Sequence, residues 1–379
     1  MKFITLGIAF VCLSVMNAQQ FVIKNVTLFD GEKLIEKTSV LVEDGIISEV
    51  GKKIKTTAEV IDGSGKFLMP GMTNSHVHAF MPFNFTEAAN AGVLNLLDMH
   101  GMEQYQNTMQ KTSLESANLA RYFYAGAAAT APDGHGTQFG FPSPTLTSVE
   151  EAQEFVDARL ANGANHIKII VEPWKATLSH DIVKALIDAT HAREKKAVVH
   201  ISNVDDAYQV LMNDADGLVH VWWDKKMTDE QLAEISEKEN FIIPTVLTSH
   251  LALDNIRNSA PENTFLSNDD ITVEVKRAYD AGIPILAGTD PPNANINYGV
   301  DLYKELDLLS KAGIPNLDVL KSATSLPAKH FELDKIGYVK EGYYADLILL
   351  NGDPIKDIQD ISKIATIWKE GKVVRASEE

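Results

Sequence analysis

Between residues 72 and 290 short apolar runs alternate with stretches of helical periodicity. The runs are MTNSHV (72–77), GVLNLLD (92–98), RYFYAG (121–126), HIKIIVE (166–172), AVVHI (197–201), GLVHV (217–221), FIIPTV (241–246) and IPILAG (283–288). Each reads as a strand, and most are separated by a helical pattern. Over 148–161, Ser148 is an N-cap with Glu151 three residues on, a capping box. Val149, Ala152, Phe155, Val156 and Leu160 then form an apolar stripe at helical spacing. Residues 179–194 repeat the plan with Ser179 as cap. Gly163 and Gly282 stand where helices stop just before strands. Eight strand–helix repeats over about 250 residues predict a (β/α)8 TIM-like barrel. A doubly wound open sheet is the alternative, but no GxGxxG follows a strand to support its dinucleotide-binding form.

The flanks follow a different rhythm. Residues 20–68 and 343–375 alternate in the manner of short strands, with Asp-Gly pairs at 30–31 and 44–45 as hairpin signals. Both ends of the chain are β-rich around an α/β middle. The economical arrangement is a small β-sandwich domain built from 19–69 and 335–379, with the barrel, 70–334, inserted between them.

The first residues read as an address. Lys2 precedes an uncharged, mostly apolar run over 3–16, and Ala18 offers a small residue before a polar start at Gln19. Residues 1–18 are therefore expected to be a signal peptide of an exported protein, periplasmic or secreted. The run is short of the roughly 20 apolar residues of a membrane span, so stable membrane insertion is not expected. Cys12 is the only cysteine. Cleavage after Ala18 would leave none, excluding disulfides, thiolate catalysis and cysteine-bound zinc. Lys plus Arg number 34 against 52 Asp plus Glu, a net charge of −18, which argues against a nucleic-acid partner. A small-molecule substrate is the expected partner, and the pattern leaves homo-oligomerisation open.

Charged and ionisable side chains gather near the strand ends. His76 and His78 are two apart on one strand, so both imidazoles face the same way and can reach one metal ion. Lys168 lies within the fourth strand, His200 ends the fifth, His220 ends the sixth, and Asp290 directly follows the eighth. Barrel active sites sit at the carboxyl ends of the strands, where these side chains converge. Lys168 stands amid Ile167, Ile169 and Ile170 and would be costly to bury as a bare ammonium. His100, His166, His191 and His330 read as packing or surface histidines.

The motifs PGMTNSHVH (70–78), IKII (167–170), VVHI (198–201), LVHV (218–221) and AGTD (287–290), with ATSLPAKHFEL (323–333) and GYVKEGYYADLILLNGDP (337–354), resemble the amidohydrolase superfamily over nearly all the chain after the leader. The chain is most similar to the imidazolonepropionase-related group that includes prolidase-like dipeptidases. Asn74 departs from that pattern, where the family usually has Asp. The resemblance implies two divalent metal ions, zinc being the expected identity, with manganese, cobalt or iron as alternatives. His76, His78 and Asp290 would hold one and His200 and His220 the other, with Lys168 bridging as a carboxylated lysine. An unmodified lysine beside a single ion is the alternative. The implied reaction is attack on a carbonyl by a water acidified by the ions, with Asp290 as general base and then acid.

Three function classes follow: an amidohydrolase acting on C–N bonds of small substrates such as dipeptides or N-acyl amino acids, a lactone, ester or phosphotriester hydrolase, and a non-catalytic binder on a relic barrel. The intact ligand set disfavours the last. For substrate contacts the expectations are His135 in the long segment 127–147, Trp222 after strand six, and Tyr298 after Asp290.

Overall fold

The computed structural model describes residues 20–259 and 265–376, so the expected signal peptide, 1–18, lies outside the described residues. The chain opens with strands β1 (Phe21–Phe29), β2 (Leu34–Glu43), β3 (Ile46–Gly51), β4 (Glu59–Asp62) and β5 (Phe67–Pro70). Seven barrel strands follow: β6 (Met72–Val77), β7 (Val93–Asp98), β8 (Arg121–Tyr124), β9 (Ile167–Ile170), β10 (Ala197–His200), β11 (Gly217–Val219) and β12 (Phe241–Ile243). The chain then returns as β13 (Leu347–Leu350), β14 (Ile364–Lys369) and β15 (Lys372–Ala376).

Both chain ends meet in one small domain. Its sheet runs β15-β14-β13-β5-β1-β2-β3, with β4 also paired to β1. The join between the two ends is the antiparallel pair β5–β13, in register from Leu347 with Pro70 to Leu350 with Phe67. The β2–β3 turn has Asp44 at φ 53 and Gly45 at φ 80, the left-handed pair a tight hairpin needs. In a flat sheet β1 and β14 would lie three strand spacings apart, about 14 Å. Instead Phe21 on β1 stacks on Trp368 of β14 with ring centroids 5.3 Å apart. The sheet therefore curls until its inner faces meet, enclosing Ile23, Leu28, Val40, Ile47 and Leu349.

The barrel consists of two parallel ladders, β6-β7-β8 and β9-β10-β11-β12, joined at two seams. At the first, Ala129 bridges to β9: its N–H donates to the Lys168 carbonyl (2.8 Å) and its carbonyl accepts from Ile170 N (2.9 Å). At the second, Ile285 bridges to Ile242 of β12. Ser75 N donates to the Ala287 carbonyl (2.9 Å) and Asp290 N to the His76 carbonyl (2.8 Å), which closes the ring onto β6. The segment expected as a regular eighth strand, 283–288, occupies the eighth place through these bridges without forming a continuous ladder. Pro284 within it has no N–H to contribute.

The helices form where the stripes and caps place them. Ser148 and Glu151 make their capping box ahead of the helix Ala152–Ala161, and the Ser179 hydroxyl caps His180–His191. No helix among the described residues is long and apolar enough to cross a membrane.

Candidate metal centre and active site

The carboxyl ends of the barrel strands surround a cavity of about 370 Å³. Strand periodicity brings the first pair of ligands there. His76 and His78 sit two apart at the end of β6, and their Nε2 atoms lie 3.2 Å from each other. Asp290 Oδ1 is 3.3 Å from His76 Nε2 and 3.1 Å from His78 Nε2. Ligand atoms about 2.1 Å from one ion lie roughly 3.0–3.4 Å apart, so this near-equilateral triangle has the dimensions of one face of a metal's coordination shell.

His200 ends β10, and His220 follows β11 directly. Their ring centroids are 4.6 Å apart, and His220 is 5.0 Å from His76. Lys168, on β9, is 3% exposed and lines the same cavity. Two of the converging groups leave the strand direction abruptly: His220 has φ 72 and Asp290 φ 56. Such left-handed backbone at non-glycine residues is unfavourable and clusters at functional sites. The six sequence-predicted ligands, His76, His78, Lys168, His200, His220 and Asp290, are thus all brought to one cavity.

The electrostatics of the site suit metal binding. Burial pushes His76, His200 and His220 well below the usual imidazole range, with Lys168 and neighbouring histidines adding to the effect. Burial also presses on His78, but its bond to Asp290 and that carboxylate's charge reverse the direction and raise it. For Asp290, burial acts upward and is outweighed by its bond to His78 and the nearby imidazoles, so it is lowered. Burial brings the Lys168 amine down to about 7, with Asp290 opposing. His76 Nδ1 and Lys168 Nζ are buried without hydrogen-bond partners, and Asp290 Oδ1 meets only the two imidazole nitrogens. Orphaned polar atoms on mutually repelling bases are costly. Neutral imidazoles, a carboxylate and a neutral amine are the donor set a divalent ion satisfies.

A second layer holds these ligands, and sequence reasoning missed it. His78 Nδ1 donates to the His100 carbonyl (3.2 Å). His220 Nδ1 lies 2.6 Å from Thr245 Oγ1, and Thr245 itself has φ 46. Glu172, two residues past β9, places Oε2 2.9 Å from His200 Nε2 and accepts from Ser202 Oγ at 2.6 Å. Burial raises the Glu172 carboxyl, against its bonds to Ser202 and Trp174. The one available signal was a charged residue at the carboxyl end of the apolar run HIKIIVE. His100 keeps its reading as a packed histidine: Nδ1 accepts from Ala128 N (2.9 Å) and Nε2 donates to the Gly136 carbonyl (3.1 Å). Asn74, the departure from the family pattern, pins the barrel seam. Its Oδ1 accepts from Thr289 N (3.1 Å) and its Nδ2 donates to Thr289 Oγ1 (2.7 Å).

Of the three expected substrate contacts, one faces the cavity. His135 lines it, with its ring centroid 4.9 Å from that of His200. Trp222 does not. It is fully buried and donates from Nε1 to Glu274 Oε2 (2.9 Å), while its neighbour Trp223 lines the cavity. Tyr298 is also displaced from the expected role. It is buried, and its hydroxyl donates to the His78 carbonyl (2.6 Å), so it braces a ligand from behind. Phe139 and Trp174 complete the apolar wall.

The model of a family described as "Amidohydrolase family" matches residues 67–374. A 5-methylthioadenosine/S-adenosylhomocysteine deaminase of Pyrococcus furiosus is 24% identical over 388 residues, covering 87% of this chain and 86% of that protein. Among solved structures, a Xaa-Pro dipeptidase with bound methionine has a TM-score of 0.79 at 20% identity, covering 93% of this chain and 99% of that one. The ochratoxinase of Aspergillus niger has a TM-score of 0.79 at 20% identity, covering 95% and 96%. At these identities the structural likeness shows the shared fold.

Proposed function

The chain belongs to the amidohydrolase family, and from that premise we propose that it hydrolyses the C–N bond of small amides such as dipeptides or N-acyl amino acids. The observation that carries this reading is the triangle of His76, His78 and Asp290, with Lys168 buried and unpaired beside it. His76, His78 and Asp290 would hold one divalent ion, and His200 and His220 a second. Zinc is the proposed metal, because imidazole and carboxylate donors without thiolate suit it. Bound there, the ions would supply an activated water and polarise the scissile carbonyl.

The chain's own residues do the rest. The Lys168 amine, brought toward neutrality by burial, attacks the carbon of CO₂, loses a proton and becomes a carbamate. The side chain would thereby become an anion, the form that two bound cations favour. Asp290, whose Oδ2 accepts from Asn293 Nδ2 at 2.9 Å, takes the proton of the attacking water, then delivers it to the departing nitrogen. Phe139, Trp174 and Trp223 line the cavity with apolar surface that suits a substrate with an apolar side chain. His135 would donate to a substrate oxygen. Export of the mature protein belongs to the same proposal, supported by Lys2 and the apolar run after it.

The test combines metal counting with a substrate panel. Wild type should hold two ions per chain, His200→Ala and Lys168→Ala fewer, and a small carboxylic acid should partly rescue Lys168→Ala. The panel compares dipeptides and N-acyl amino acids with lactones, aryl esters and adenosine-type amines. Preference for lactones or esters would transfer the site to the second hydrolase class, and ammonia release from the amines would make it a deaminase. N-terminal sequencing from the natural host should start near Gln19, and an intact Met1 would remove the export proposal.

A further inference from the structure

We propose that Glu172 is the positioning residue of the second metal site: its carboxylate holds His200 in the tautomer and orientation that present Nδ1 to the ion. The inference rests on the dinuclear reading above and adds a residue to it.

Three of the four histidines of the centre are held through a ring nitrogen, and not all through the same one. His78 offers Nδ1 to a backbone carbonyl, and a carbonyl only accepts, so Nδ1 carries the proton and Nε2 keeps its lone pair. His220 also spends Nδ1, on Thr245 Oγ1, and presents Nε2. His200 is the reverse. Its Nε2 faces Glu172 Oε2 at 2.9 Å. An ionised carboxylate only accepts, so Nε2 carries the proton and the lone pair stays on Nδ1. Two histidines that would share one ion thus present opposite ring nitrogens, and Glu172 sets the difference.

The carboxylate is itself pinned, as orientation of a ligand requires. Oε1 accepts from Ser202 Oγ at 2.6 Å. The Glu172 N–H donates to Thr177 Oγ1 at 3.0 Å. Val171 N donates to the His200 carbonyl at 3.0 Å, so barrel pairing fixes the two backbones against each other. Glu172 does not belong to the His76–His78–Asp290 group, so it is no ligand of the first ion. It lines the cavity, but it is no open acid awaiting substrate, since both its oxygens are engaged. Carboxylate partners of metal-bound histidines raise ligand basicity and fix the ring, and losing one costs about 10–100-fold in metal affinity.

The experiment uses the full mature chain as wild type, Glu172→Gln and Glu172→Ala. Zinc affinity is measured by competition with a chromophoric chelator, resolving two binding steps. The Gln variant keeps an oxygen that can accept from Nε2–H. Glu172→Ala should weaken one step by about 10–100-fold and leave the other within a few-fold, while Glu172→Gln recovers most of the loss. In parallel, ¹⁵N spectra of metal-free protein should show His200 protonated at Nε2 in wild type and no longer held in that tautomer in Glu172→Ala. Unchanged zinc steps in Glu172→Ala, or a Gln variant as weak as Ala, would overturn the positioning role. If wild type binds a single ion, the dinuclear reading fails by itself, and the tautomer measurement still decides the role of Glu172. Should the Ala variant not fold, a fully protonated Nδ1 on His200 in wild type would overturn it alone.

Discussion

Replacing Arg121 with methionine should weaken the fold by about 3 kcal/mol without emptying the metal centre. Arg121 opens β8 at the amino end of the barrel, away from the ligands, and is 2% exposed. Its guanidinium forms a two-pronged contact with Asp346, Nη1 to Oδ2 and Nη2 to Oδ1, the latter at 3.2 Å, and reaches Glu370 Oε1 at 2.6 Å. Both acids come from the small domain, so this cation ties the two parts of the molecule together. Burial works against its charge, and Asp346 and Glu370 more than offset that. Methionine keeps most of the stem's packing but leaves Asp346, 4% exposed, without its cation. Breaking a buried pair from one side costs roughly 3–5 kcal/mol. The lower end applies here, because Asp346 Oδ1 keeps one donor, Glu370 N at 2.9 Å. Glu370 adds little, since its side chain is a third exposed and can rehydrate. The assay is urea unfolding, read as a midpoint shift at unchanged slope. Adding Asp346→Asn in the Arg121→Met background should recover part of the loss. A cost below about 1 kcal/mol, or no recovery in the double variant, would refute the account of a buried charge left unpaired.

Asp290→Asn keeps an oxygen but loses the proton acceptor, so kcat should fall about 10²-fold or more at saturating metal, and an unchanged kcat would leave Asp290 as a ligand alone. Lys369 is buried and its Nζ donates to the carbonyls of Ser113 (2.7 Å), Ser116 (2.9 Å) and Leu119 (2.7 Å), closing the end of the helix Glu103–Glu115. Lys369→Met should lower stability by about 2–3 kcal/mol in urea unfolding, with hydrogen exchange quickening in that helix first. Glu305 accepts from Val246 N (2.9 Å) and Leu247 N (2.8 Å) at the start of a helix that lines the cavity, and burial raises it from 4.5 to about 7. The folded state therefore holds more protons than the unfolded state between these values, so its contribution is full below the lower one and is lost as pH rises through the upper. Glu305→Gln should flatten the fall in urea midpoint across that window, and an unaltered pH dependence would disprove the assignment.

Local patterning determined much of this protein. Alternating apolar runs and capped helical stripes place seven barrel strands where they form, because strand and helix periods are properties of adjacent residues. The same period of two puts His76 and His78 on one side of β6, and carboxyl-end positions bring Lys168, His200, His220 and Asp290 to the same mouth. Tertiary structure decided what happens one residue beyond each strand. Sequence reasoning expected Trp222 at the cavity, but after the left-handed turn at His220 it is Trp223 that faces it, and Trp222 packs on Glu274. A change of φ sign reverses which neighbour points inward, and nothing in the flanking residues announces it. Tyr298 was placed near the site by chain order, yet its hydroxyl lies behind His78. The partners that orient the ligands are also contacts across the fold: Glu172 with His200 is 28 residues distant, Thr245 with His220 25, and His100 with His78 22. Periodicity extends over a few residues, whereas such pairs exist only once the barrel closes and neighbouring strands hold their ends together.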